Sequence, residues 1–339
     1  MNGDISFVQA LLNQYNQALS NLYKQLEIQK TRRNVTTYTK TLIRSTKQEI
    51  AVLNDFCEKW ALDAIPDAYE QGINQAYTEY RQAHIDLNKV AANQRVLKAL
   101  VENAIGTLHD TNNYFGRRMI DEIRTIGLEA TTQKIARGQT VKQMQKALLE
   151  RLTSDGQLNI TDKNGRLLNP EAYAKMVART TTREATNTGI LQQVRDIGRD
   201  LVQISTIHST CPICAVYEGR VYSISGRDKR YPPLSKVFRG GYKTIHPNCK
   251  HHISPYIEEN DDYFRQTLQE SNRKFEITKK EEASIDRYNA DQAKKTARRN
   301  DRKEWEAWKK SDAEKAPKTF SAYRSKKRAS ERRKALANK

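Results

Sequence analysis

The sequence predicts a mostly helical α+β protein: an elongated N-terminal helical bundle, a small zinc-stapled antiparallel sheet module, and a basic helical C-terminal tail. Three observations carry this expectation. Apolar residues recur at helical spacing through the first half, and short β-branched runs replace them past Gly198. Three of the four cysteines then fall, with four histidines, between His208 and His252. The corresponding domains are residues 1–152, 153–260 and 261–339.

In the first helix Val8, Leu12, Tyr15, Leu19, Leu22 and Leu26 step by three and four residues, which keeps them on one seam. A second periodic stretch holds Leu42, Ile43, Ile50, Leu53, Phe56, Cys57 and Trp60. Pro66 fits the first turn of a third helix carrying Ala68, Ile73, Ala76, Tyr77 and Tyr80. Such stripes serve an intramolecular core or a docking surface, and periodicity alone leaves both open. Helical character continues through Val90, Val96, Leu97, Leu100, Val101, Ile105 and Leu108, followed by short helices broken at Gly116, Gly127 and Gly138. Thr140 caps a helix through Leu152, and the turn signals at Ser154 and at Asn164-Gly165 predict a small strand pair or loop. A helix follows from Pro170 to about Gly189.

Beyond Gly198 three runs have strand character: Leu201 to His208, Arg220 to Ile224, and His252 to Ile257. Residues 225–242 between them are rich in Gly, Pro and basic side chains, which predicts a loop tied down at both ends. The turns at the strand ends carry His208, Cys211 and Cys214, then His246, Cys249, His251 and His252. Zinc takes thiolate and imidazole in a tetrahedron, and two pairs from separate turns are the usual structural site. Cys211-x-x-Cys214 and Cys249-x-His251 each span one turn, so these four are the expected ligands of a structural zinc, with His208 and His246 in reserve. Such an ion contributes about 10 kcal/mol or more, most of what holds a sheet this small. The alternative is that the thiols are reduced and buried with the histidines packed nearby. Cys57 is expected to be a small buried side chain on a helix.

Charge marks the third part. The chain has 59 Lys and Arg against 40 Asp and Glu, a net +19, and from Asn272 onward 23 basic and 11 acidic residues leave +12. A soluble chain so charged seeks polyanions. The basic residues Arg324, Lys326, Lys327, Arg328, Arg332, Arg333 and Lys334 are the expected phosphate contacts, and no base-reading motif accompanies them. A solvated, frayed end is the alternative. A hydrophobic fraction of 37% and a mean hydropathy of −0.84 are low for one large core and predict elongation. No apolar run nears the ~20 residues of a membrane span, and the first residues lack the pattern of a signal peptide, so no membrane partner and no secretion by that route are expected.

An ordered series of motifs carries a resemblance. Tyr173-Ala-Lys-Met-Val-Ala-Arg-Thr, Asp200 to Ser205, His208, Cys214, Gly219 to Gly226, Tyr231-Pro-Pro-Leu and Asn248-Cys-Lys-His251 resemble the phage minor capsid protein 2 family. Cys211-Pro-Ile-Cys214 and His246-Pro-Asn-Cys249 are also similar to the Mu F-like head morphogenesis proteins of tailed phages. Minor capsid 2 patterns have the histidine with one cysteine in the first turn and Mu F patterns have Cys-x-x-Cys, whereas this chain has His208, Cys211 and Cys214 together. The clear resemblance runs from Tyr173 to Tyr256. It implies a minor protein of the phage head, associated with the portal and made in few copies; with the basic tail, the chain is expected to face packaged double-stranded DNA in the capsid interior, to pass through the host cytoplasm during assembly, and not to be an enzyme. Contacts between copies of the chain are a further expected partner class.

Enzyme readings are weaker. Glu218 is the only carboxylate in the immediate turns, and no His-Glu-x-x-His or His-x-Glu pattern occurs. A zinc-dependent nuclease using His246, Asn248 and His252 is the alternative, and a simple DNA-binding module is another. Arg179 and Arg183, four apart on one helix face, are expected to pair with carboxylates or a neighbouring chain.

Overall fold

The structure, a computed structural model, describes residues 2–28, 35–137, 160–161, 167–168, 170–207, 211–238, 240–258, 262–312 and 314–337. Among these residues seven α-helices accompany a three-stranded antiparallel sheet and a two-stranded hairpin, as the predicted class requires. The expected helix from Thr140 to Leu152, the turns at Ser154 and Asn164, and His208 lie outside the described residues. The chain divides into two compact units, residues 1–207 with 217–274, and residues 208–216 with 275–339.

In the first unit, α1 (Asn2–Ile28) buries Val8, Leu11, Leu12, Tyr15, Ala18 and Leu22, most of the predicted seam. The second helix, α2 (Val35–Gln82), runs unbroken for 48 residues with Pro66 inside it. The expected start of a third helix at Pro66 is therefore corrected. Proline forfeits one hydrogen bond, but Ala61, Ala64, Ile65, Ala68 and Tyr69 around it are all buried in one cluster, and that packing overrides the local break.

A similar correction applies to α3 (Gln94–Arg137), which passes through Gly116 and Gly127 rather than breaking, while the break expected at Gly138 lies outside the described residues. Asn93 caps it, its Oδ1 accepting from the Val96 amide at 3.2 Å. A Cβ on Gly116 would meet Ile50 Cγ1 at 2.8 Å, so glycine there serves close packing against α2. The next helix, α4 (Pro170–Asp196), crosses α2 where Gly72 and Gly189 let the two backbones touch. Side chains of α1, α2, α3 and α4 share one buried cluster.

Cys57 is fully buried, as expected, and accepts from Asn112 Nδ2 at 3.4 Å. The Tyr15 hydroxyl donates to Asn112 Oδ1 in the same buried pocket, and burial pushes both the tyrosine and the thiol above their ordinary ionisation range.

The predicted strand pair exists as β1 (Ile160–Thr161) against β2 (Leu167–Leu168). The three later strands are β3 (Leu201–Ile204), β4 (Val221–Ser223) and β5 (Ile253–Pro255), in the order β4-β3-β5, each shorter than its apolar run. The register pairs Val202 with Tyr222 and with Pro255. One face of the sheet, with Val202, Ile204, Tyr222 and Ile253, packs on Tyr80 of α2 and Ile190, Leu191 and Val194 of α4. The loop after β4 is tied down by a parallel bridge from Ser223 to Pro233 and by a 3₁₀ turn at Leu234–Lys236. After the sheet, α5 (Asp262–Asn272) supplies Ser271, whose hydroxyl accepts from the Val221 amide at 2.9 Å.

The second unit contains α6 (Lys279–Ser311) and α7 (Phe320–Ala337), packed as a helical hairpin. Aromatic rings join them: Trp305 with Phe320 at 5.8 Å and Trp308 with Tyr323 at 6.4 Å between centroids. Trp305 Nε1 also donates to the Pro317 carbonyl at 2.8 Å.

Candidate metal centre and basic surfaces

The cysteine and histidine turns are shaped locally before any ligand is considered. The Cys214 and Ala215 amides both donate to the Cys211 carbonyl, at 3.2 and 3.0 Å, which curls Cys-Pro-Ile-Cys into one turn. The Cys249 amide donates to the His246 carbonyl at 3.2 Å. Between them Asn248 sits at φ +60°, a left-handed conformation that asparagine tolerates better than most residues. The Asn248 amide is held by Thr180 Oγ1 of α4 at 2.9 Å.

This turn presents a polar line. His251 Nδ1 lies 3.3 Å from Cys249 Sγ, and His251 Nε2 donates to Glu218 Oε1 at 2.6 Å. The imidazole is 3% exposed and the Glu218 side chain 12%, so their hydrogen bond is made largely out of water. Zinc bonds of about 2.3 Å to sulfur and about 2.0 Å to nitrogen, at a tetrahedral angle, place two ligand atoms roughly 3.5 Å apart. The Cys249–His251 separation fits that edge. Glu218 stands where a carboxylate would orient His251 if that imidazole ligated a metal, since a ligating histidine hands its other ring proton to such a group.

Among the described residues, two groups of three have ligand atoms within 4.8 Å of one another: Cys211, Cys214 and His246, and Cys214, Cys249 and His251. These clusters can hold a metal ion. Every one of the four expected ligands belongs to one group, Cys214 to both, and the reserve His246 enters through the first. All four cysteines are free thiols.

The candidate nuclease residues have other partners. His246 Nδ1 faces the Pro247 carbonyl at 2.8 Å, and Asn248 Oδ1 accepts from Arg179 at 3.5 Å, the outer limit of a hydrogen bond. Burial, with Arg183 and His251 nearby, holds the His252 imidazole below its ordinary range and favours its neutral form.

Four polar residues that pin this region were not legible as site residues. Asn187 of α4 donates to the Lys243 carbonyl at 2.6 Å and accepts from the Ile253 amide at 3.3 Å. Asp200 accepts from Ser223 at 2.5 Å and from the Ser225 amide at 2.7 Å. Arg220, wholly buried, donates to the carbonyls of Arg273 and Lys274, and Ser271 holds β4. Asp200 and Arg220 stand next to strand ends and inside the motif-bearing stretches, whereas Asn187 and Ser271 lie within helices and carry no such signal.

Of the expected nucleic-acid contacts, Arg324 pairs with Asp301 at 3.1 Å, and Lys327 reaches Asp301 at 2.8 Å and Glu304 at 2.6 Å. The hydrogen bonds from Lys327 hold both carboxyls below their usual range, with smaller help at Asp301 from Arg324 and at Glu304 from Tyr323. Lys326 and Arg328 are exposed. Arg332, Arg333 and Lys334 belong to α7, but their side chains lie outside the described residues.

A family model for phage minor capsid protein 2 matches residues 37–335, nearly the whole chain, and the chain belongs to that family. The match extends well beyond the motif-bearing stretch from Tyr173 to Tyr256 and takes in α2, α3 and both tail helices. Membership implies a place in the virion and a structural role in the phage head. No curated protein and no solved structure matches the chain significantly. No described helix is long and apolar enough to cross a membrane.

Proposed function

We propose that this minor capsid protein is a structural part of the head interior, docked to the portal through its N-terminal helices and facing packaged DNA with its basic tail. The family match carries the reading, because a structural virion protein of this charge meets DNA inside the head. The domain assignment that goes with it keeps residues 1–152 for docking, 153–260 for the metal-bearing module and 261–339 for the tail. Val52 and Leu62, each 53% exposed on α2, are apolar side chains available to a protein partner. The zinc is structural, held by Cys211, Cys214, Cys249 and His251, with His246 as the substitute fourth ligand. Its chemistry is to fix the turns, and Glu218 orients His251 toward it.

The direct test is composition. Purified heads should contain the chain in few copies, cross-linked to the portal protein, and absence from intact heads overturns the proposal. DNA contact has its own test: if about six phosphates are neutralised, affinity falls roughly a thousandfold between 50 and 200 mM salt. Lys326→Glu with Arg328→Glu should weaken duplex binding at every sequence alike.

One observation favours a second reading. Cys249, His251 and Glu218 stand in the order of a thiol nucleophile, its base and an orienting carboxylate. The second thiol at Cys214 favours a metal instead. Alkylation separates them: Cys249 that reacts with iodoacetamide only after chelation is a ligand, and Cys249 that reacts at the same rate without chelator is a nucleophile. A nuclease would cleave DNA only with metal and lose that activity in His246→Ala.

A further inference from the structure

Two cations of the α7 basic cluster are engaged inside the hairpin. Arg324 pairs with Asp301 of α6, and Lys327 reaches both Asp301 and Glu304. The other side of α6 is built differently. Lys295, Arg298, Arg299 and Arg302 are all exposed there. At 3.6 residues per turn their side chains fall within an arc of about 100°, a stripe that rises about 10 Å along the axis. No other residue between Lys295 and Arg302 falls in that arc, so the stripe is uninterrupted by acidic or apolar side chains. Asp301 and Glu304, which bond α7, lie on another flank of the helix.

Asp291, the acidic residue ahead of the stripe, pairs with Lys294 at 3.5 Å. Arg302 is steadied by a cation–π contact, its guanidinium carbon 4.9 Å from the Phe320 ring centroid. Lys295 with Arg299, and Arg298 with Arg302, stand four apart, and like charges at that spacing oppose the helix. A partner of opposite charge offsets the repulsion. Protein interfaces have an apolar core and few lysines, whereas this stripe is a bare row of cations. A nucleic-acid strand advances about 3.4 Å of axis per phosphate, so a 10 Å row faces about three of them.

We infer that the solvent face of α6, through Lys295, Arg298, Arg299 and Arg302, contacts the phosphate backbone of nucleic acid, while Arg324 and Lys327 tie the hairpin together instead. The inference rests on the reading that the tail faces duplex DNA, and it extends the contact to a helix outside the α7 cluster.

The test is the salt dependence of duplex binding by the full chain, measured with a random-sequence duplex of about 20 base pairs between 50 and 200 mM salt. Each neutralised phosphate adds about 0.9 to the slope of log affinity against log salt. Lys295→Gln with Arg298→Gln and Arg299→Gln should lower the slope by about 2–3 and weaken binding more than about tenfold. Arg298→Lys with Arg299→Lys keeps the charge and should keep the slope. Arg324→Gln with Lys327→Gln should lower the melting temperature of the hairpin yet change the slope by less than about one, measured where circular dichroism shows the hairpin folded. Glutamine has nearly the helix propensity of Lys and Arg, so helix content should survive the triple change. If it does not, Arg298→Gln with Arg299→Gln replaces it and should lower the slope by about two. An unchanged slope in these α6 variants while wild type binds overturns the inference and spares the DNA reading; wild type that does not bind duplex overturns both. A loss in the Arg324 and Lys327 variant as large as in the α6 variants, or tighter binding to a polyglutamate peptide than to duplex, also overturns it.

Discussion

The crossing of α2 and α4 and the three-stranded sheet belong to one unit but are specified by different means. The crossing is a matter of size. Gly72 would put a Cβ 2.0 Å from the Thr186 carbonyl oxygen, and Gly189 would put one 2.1 Å from that of Tyr69, with buried alanines above and below. The sheet has strands of four, three and three residues, too few to fix a position by ladder alone. One face packs on Tyr80, Ile190, Leu191 and Val194, but its connections are tied by single polar atoms on Asn187, Asp200, Arg220 and Ser271, and the neighbouring turns carry thiols and imidazoles. Dense apolar packing responds to added volume, whereas a small polar assembly responds to loss of one donor or ligand. The two regions should therefore fail under different substitutions.

The largest effect tests the sheet side. One zinc per chain is expected by elemental analysis, and binding energies of such sites are about 10 kcal/mol or more. Chelation, or Cys249→Ser, should collapse amide protection across β3, β4 and β5 while α2 stays protected at its buried core. A metal-free wild type, or a Cys249→Ser protein with unchanged melting, would break the contrast at its centre.

Next comes the helical side. Gly189→Ala drives a methyl into the Tyr69 backbone and should lower stability by about 3 kcal/mol, the upper end of overpacking costs. Gly106→Ala in α3 meets nothing within 4 Å and should raise stability by roughly 0.5–1 kcal/mol, as helix-interior glycine to alanine does. Equal melting shifts in the two variants would mean that space does not decide this region.

Asn187→Ala sharpens the boundary between the two, since the side chain sits on α4 but serves the sheet. Its removal strands the Lys243 carbonyl and the Ile253 amide, and a buried unsatisfied group costs about 1–3 kcal/mol. Hydrogen exchange should rise at Ile253 before it rises along α4. Simultaneous loosening of both would show that the helix and the sheet open as one.

What the sequence made legible follows the same division. The seam of α1, the periodic positions of α2 and α3, and all three strands were readable, because burial repeats at 3.6 or 2 residues. Pro66 and Gly116 misled for one reason: local breakers were weighed without the neighbour that packs on them. Pro66 survives inside a cluster of buried alanines, and Gly116 faces Ile50. At the site, ligand types and spacing were legible, since Cys-x-x-Cys and Cys-x-His are contiguous patterns. The pairing of His251 with Glu218 spans 33 residues, and that of Asn187 with the Ile253 amide spans 66. Contacts of that range leave no period in a sequence.

The smallest effect concerns the tail hairpin, where neither volume nor a ligand decides. Trp305, Trp308, Phe320 and Tyr323 give α6 and α7 their apolar contact, and Asp301 sets the register through Arg324 and Lys327. Its carboxyl is held below the usual range by the Lys327 hydrogen bond first and the Arg324 bond second. A depressed folded value means that the pairing stabilises the hairpin above the unfolded carboxylate range, near 3.9, and that this contribution disappears as pH falls through the folded value. Pairs near the surface are worth about 1 kcal/mol or less, so Asp301→Asn should shift hairpin melting only slightly at pH 7 and remove the acid-side slope. Tryptophan emission of the full chain between pH 7 and pH 3 reads this directly. The shift should shrink further in 1 M salt, where screening is short-ranged. A loss as large as that of Asn187→Ala would move the tail into the class of the sheet, with polar atoms rather than rings holding it.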